Sequence, residues 1–118
     1  MPSHILILYN NKKKDVIVGK LGEINFPLGY YYYVGSANSG IHRVRRHFSG
    51  ANVKKWHIDY ISTIMSVLGA VLIHEKECTV ALKLGRELQM IPNFGCSDCK
   101  CKSHLFYSPN LTLEFLST

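Results

Sequence analysis

The run Gly29-Tyr-Tyr-Tyr-Tyr-Val-Gly35 constrains this chain more than any other stretch. Aromatic and β-branched side chains fit a pleated, buried surface, so Tyr30 to Val34 predicts a strand. Gly35 ends it, and Ser36-Ala-Asn-Ser39 reads as a polar turn. Asn38 or Ser39 can cap a following helix. In that helix Ile41, Val44 and Phe48 recur at core-facing spacing, while Arg43, Arg46 and His47 gather on another side. Arg43 stands eight positions after Gly35, and His47 one turn after Arg43. A strand, a turn and a helix in that order can set the Tyr33 phenol, a guanidinium and an imidazole around one point.

The 118 residues suit one domain spanning 1–118, and 47% hydrophobic content is enough for a single core. No stretch of about 18 apolar residues is present, so no membrane span is expected. The start, Met-Pro-Ser-His, lacks a basic segment followed by an apolar one, so no secretion signal is expected either. The cytoplasm is the expected compartment, and disulfides among the four cysteines are not expected there. A net charge of +6 favours an anionic partner, nucleic acid first.

The remaining pattern alternates strands and helices. Ile5 to Tyr9 and Val16 to Val18 read as strands joined by Asn10-Asn-Lys-Lys-Lys-Asp15, a hairpin over residues 4–19. Lys12, Lys13 and Lys14 at its tip are a solvated charge run or a phosphate contact. Residues 19–29 read as loop. A second helix is expected over about 54–63, with Ile58, Ile61 and Ile64 inward, His57 on the apolar side and Asp59 off it. Ser66 to Ile73 has the character of a strand, with a helix as the alternative, and a third helix covers about 76–88. Residues 91–103 look irregular. Leu105 to Tyr107 and Leu111 to Phe115 read as terminal strands. The expected class is α/β or α+β, a small mostly antiparallel sheet with helices.

On the third helix Val80, Ala81, Leu84 and Leu88 form one stripe, and Glu77 lies on its axis one turn earlier, with Glu75 pointing elsewhere. A carboxylate on that side is either wetted and held by the helix dipole, or paired, or bound to a cation. Cys96-x2-Cys99-x-Cys101-x2-His104 offers four soft ligands, so a zinc site is chemically possible, although the spacing is not that of a finger.

The order Tyr33-Val-Gly35, then Arg43 and His47, resembles the second signature of the GIY-YIG nuclease superfamily. Trp56-His-Ile-Asp-Tyr60 and Gly95-Cys-Ser-Asp-Cys-x-Cys-x-Ser-His-Leu-Phe-Tyr107 are similar to one compact subfamily of that group. Its members occur alone and fused to endonuclease III-type repair glycosylases. The resemblance covers essentially the whole chain. It implies a three-stranded antiparallel core sheet flanked by helices, and a metal-dependent endonuclease or DNA-processing enzyme acting in repair. Glu77 would hold one Mg²⁺ or Mn²⁺, Tyr33 would lie by the attacking water or the scissile phosphate, and Arg43 and His47 would face the phosphate. The first signature, Gly-Ile-Tyr, is missing. The opening strand puts His4 where that Tyr would stand, as a possible general base or a surface residue. Tyr31, Ser36, Arg45, Arg46, Lys54, Lys55, His57, Asp98 and His104 are the expected DNA-binding residues. The expected partners are DNA and a glycosylase or other repair protein. Two alternatives stay open: a DNA-binding module that no longer cuts, and a lyase using Lys54, Lys55 or the N-terminus as amine nucleophile.

Overall fold

The computed structural model describes residues 3–36, 57–95 and 102–117. Their architecture is α+β: a five-stranded sheet of order β5-β1-β4-β7-β6, every pairing of which is antiparallel, and a separate two-stranded sheet. The strands are β1 (Ser3–Asn10), β2 (Lys14–Ile17), β3 (Glu23–Phe26), β4 (Gly29–Ser36), β5 (Ser66–Ile73), β6 (Gln89–Met90) and β7 (Leu105–Ser108). The helices among the described residues are α1 (Asp59–Ser62) and α2 (Glu77–Glu87), with 3-10 turns at Gly19–Leu21 and Glu114–Ser117. None of them is long and apolar enough to cross a membrane.

The tyrosine run forms the middle strand. Successive side chains of β4 point to opposite faces, so Tyr31 and Tyr33 enter one core layer with Leu6, Leu8 and Phe94. Tyr32 and Val34 enter the other, with Ile5, Ile7 and the α2 residues Val80, Ala81 and Leu84. A strand buried on both faces needs large apolar bodies with a partner for each polar tip. The Tyr31 hydroxyl donates to the Pro27 carbonyl at 2.6 Å, and the Tyr32 oxygen accepts from the Thr112 N–H at 2.9 Å.

Several expectations are corrected. The hairpin over 4–19 does not form. Strand β1 is enclosed by β4 and β5, which leaves no free edge for β2. The sequence shows why: Ile-Leu-Ile-Leu8 is a continuous apolar run, the mark of a strand covered on both faces. Strand β2 pairs instead with β3, inside the segment expected to be loop. Lys14 donates to Asn10 Oδ1 at 2.6 Å and Asn11 Oδ1 at 3.2 Å, so its ammonium serves the turn. Asn10 is buried, and its Nδ2 donates to the Phe26 and Pro27 carbonyls, clamping the hairpin's exit onto β1.

Within the expected second helix, α1 is a single turn. Ile58 and Ile61 are buried as expected, but Ile64 is 41% exposed because the helix has ended before it. Asp59, expected off the apolar side, is buried in the first turn of α1, where helix N–H groups lack backbone partners. Leu111 to Phe115 is not a strand. Phe115 turns under the sheet to meet Tyr32 edge-on, with ring centres 5.3 Å apart, and the chain coils to deliver it. The helix expected after Asn38 lies outside the described residues.

Candidate active site

The pairing of β1 with β4 sets His4 opposite Gly35. His4 is buried, not on the surface. It shares the face of Leu6 and Tyr33, and its ring centre is 6.4 Å from that of Tyr33. Gly35 is glycine for space. A Cβ there would lie 2.6 Å from His4 Cε1 and 3.2 Å from Tyr33 Cε2. Gly35→Ala therefore forces the imidazole or the phenol to move. We expect a loss of about 1–3 kcal/mol, the range for overpacking, measured by urea denaturation. The same variant should displace the His4 ring resonances in NMR spectra.

The other side of Tyr33 is closed by the turn after β6. The Phe94 ring meets Tyr33 edge-on at 6.2 Å, Phe26 at 6.4 Å and His57 at 5.5 Å. Gly95 has φ 72°, a conformation that glycine adopts without a Cβ penalty, and a Cβ there would come within 3.0 Å of Tyr33 Cε1. Its N–H donates to His57 Nδ1 at 2.8 Å. That bond makes Nδ1 an acceptor and puts the His57 proton on Nε2. Burial lowers the His57 pKa, consistent with a neutral ring.

His104 ties this turn to the end of β4. Its N–H donates to the Phe94 carbonyl and its carbonyl accepts from the Val34 N–H, both at 2.8 Å. Its imidazole is buried, and Nδ1 lies 3.7 Å from Glu77 Oε2. Desolvation lowers the His104 pKa, and the Glu77 carboxylate and Val34 backbone pull weakly the other way. Neutral His57 and His104 both bind protons less readily in the fold than in the unfolded chain. Their contribution to stability is therefore complete above about pH 6.5, the unfolded value. It is lost as pH falls below that. The melting temperature should drop between pH 7 and pH 5, with a smaller drop in His104→Asn.

Glu77 opens α2. Its side chain is 35% exposed, with His104 behind it. Val80, Ala81 and Leu84 are buried one to two turns on, and the helix N-terminus favours a negative charge at Glu77. Glu75 points elsewhere, as expected, and pairs with Lys83 at 2.7 Å. A single, partly wetted carboxylate suits Mg²⁺ or Mn²⁺, since Mg²⁺ keeps several waters and takes one or two carboxylates together with substrate phosphates. Cys96, Cys99 and Cys101 lie outside the described residues, and no group of three His, Cys, Asp or Glu among the described residues could hold a metal. Cys78, beside Glu77, is disulfide-bonded, against the expectation of free thiols.

Tyr33, His4, His104 and Glu77 are thus linked through Gly35 and Gly95 at one end of the sheet. Tyr31 is not part of this group. It is fully buried, its hydroxyl is bonded to Pro27, and desolvation pushes the phenol's pKa up, so it is a core residue and not a DNA contact. Ser36 pairs through its backbone with Ser3. Arg43, Arg45, Arg46, His47, Lys54, Lys55 and Asp98 lie outside the described residues. Phe94 and the contact between His104 and Glu77 were not legible in the sequence. Phe94 carries only a Phe-Gly turn signal, and the two partners of the contact are 27 positions apart.

A family described as Domain of unknown function DUF123 matches residues 3–117. No curated protein and no solved structure matches the chain.

Proposed function

The chain belongs to the DUF123 family, whose description carries no activity, and from its own residues we propose a metal-dependent DNA endonuclease of the GIY-YIG type. The observation that carries this reading is the partly exposed Glu77 carboxylate, backed by buried His104 at the sheet end where Tyr33 and His4 meet. The sheet is antiparallel, as the resemblance implied, but among the described residues it has five strands where a three-stranded core was expected. The charge of +6 supplies the attraction for a polyanion.

In this reading Glu77 would hold the divalent cation. Such a cation, when bound, polarises the phosphate and stabilises the leaving oxygen. His104 backs the carboxylate. Tyr33, with His4 packed beside it, would orient or deprotonate the attacking water. Arg43 and His47 neutralise charge building on the phosphate. Partnership with a repair glycosylase belongs to the same proposal.

Cleavage of end-labelled intact, branched, mismatched and abasic DNAs tests it, each with Mg²⁺, Mn²⁺ or EDTA. Strand cutting that needs metal is expected. Cutting that persists in EDTA, with a covalent adduct trapped by borohydride, would assign lyase chemistry instead. His4 in place of the tyrosine of the first signature favours a second reading, a DNA-binding module without hydrolysis. It predicts salt-sensitive binding and no cutting with any metal.

A further inference from the structure

A groove of about 550 Å³ runs along the seam between α2 and the β6–β7 edge. Ala81 and Gly85 form one wall, on the same helix ridge as Glu77, spaced four and eight residues from it. Leu88 and Met90 supply an apolar floor, with the buried Phe106 ring beneath. Lys102 and Ser103 line its other side, and the next residue is His104, which touches Glu77. The groove therefore leads away from the Glu77 end of the sheet. Arg86 stands on its rim, nine residues along α2 from Glu77, or about 13.5 Å at helical rise.

Gly85 is the residue that packing leaves unexplained. Glycine inside a helix costs about 1 kcal/mol relative to alanine. An alanine Cβ there would meet only Phe106 Cε1, at an ordinary 3.5 Å. Nothing in the core requires glycine, whereas a longer side chain would fill the groove. An apolar floor between two cations matches a nucleic-acid strand: a base face below, phosphates on Arg86 and Lys102.

We propose that this groove holds the substrate strand beside the cut, with one base unstacked onto the Leu88–Met90 floor. The inference rests on the nuclease reading, so its test is a binding measurement that needs no cutting. The full chain is titrated in EDTA with fluorescein-labelled DNA carrying a single-stranded flank. 2-Aminopurine is placed in turn at each flank position.

At one position the 2-aminopurine should brighten several-fold as its base leaves the stack. Arg86→Glu, at the groove's rim, should weaken binding about tenfold. Gly85→Met should remove the brightening, and Gly85→Ala should keep it, with circular dichroism confirming that each variant is folded. Wild-type affinity and brightening in both Arg86→Glu and Gly85→Met would overturn the groove assignment even for a protein that cuts DNA. Brightening lost in Gly85→Met, with no cutting under any metal, would uphold the groove and overturn the nuclease reading alone. Displacement of the DNA by a Glu-rich peptide at equal concentration, in wild type and not in Arg86→Glu, would overturn it in favour of a protein partner.

Discussion

Glu77→Gln should lower metal-dependent cleavage by roughly 10²–10³-fold or more, the scale on which removing one charge-stabilising group acts. Glutamine keeps the size and shape of the side chain and removes the charge that would hold the cation. The carboxylate is partly exposed, so the fold should lose no more than about 0.5 kcal/mol, as at other surface positions. DNA binding in EDTA should be unchanged or slightly tighter, because a negative charge has left the path of a polyanion. Glu75→Gln is the matched control two residues away. It breaks the exposed pair with Lys83, worth about 0–1 kcal/mol, and should leave cutting intact. Cleavage assays and melting curves on the three proteins separate loss of chemistry from loss of fold. Full metal-dependent activity in Glu77→Gln would remove this residue from its assigned role.

Phe94→Ala should have the largest effect on stability. Phe94 is fully buried and its ring meets Phe26, Tyr33 and His57 edge-on. Truncating a buried Phe costs about 3–5 kcal/mol, from lost transfer energy and from the cavity left behind. That is a large share of the roughly 5–15 kcal/mol that holds a domain of this size together. The melting temperature should fall by roughly 10 °C or more. The cavity opens beside Tyr33, and the Phe94 carbonyl anchors the His104 N–H, so cutting should weaken well below the melting transition. Phe94→Leu refills much of the volume and should recover most of the stability. A melting temperature unchanged in Phe94→Ala would contradict the packing described around Tyr33.

What the sequence made legible follows periodicity. The Tyr30–Val34 strand and the Glu77–Glu87 helix were readable from their patterns, whereas Ser66–Ile73, a strand in the fold, left strand and helix both open in the sequence. Pairing was not readable in the same way. Val16-Ile-Val18 follows β1 closely enough to suggest a hairpin, but β1 is apolar at every position from Ile5 to Leu8 and takes two other neighbours. Competition for strand edges is decided by the whole sheet, which local spacing does not encode. The same holds for Asp59 and Ile64. Their expected faces assumed a helix longer than the single turn of α1.

At the site, Tyr33 and Glu77 stood out because one follows a strand pattern and the other falls on an apolar stripe. His4 stood out only by its place in the opening strand. Its burial depends on Gly35 lying across from it, a cross-strand fact. His104 was seen as a soft ligand in a cysteine-rich string, and the fold sets it against Glu77. Long-range contacts of this kind are fixed by register and packing and leave no local trace.

The central claim is that this site drives water onto a phosphodiester. Cleavage of labelled DNA by the full chain with Mg²⁺ or Mn²⁺ in H₂¹⁸O, followed by mass spectrometry of the product ends, tests it most directly. The account predicts one ¹⁸O in the terminal phosphate of each cut, with labelled ends reduced in Glu77→Gln in proportion to its lost cleavage. Products whose phosphates carry no ¹⁸O, or no products with either metal on any substrate, would contradict it.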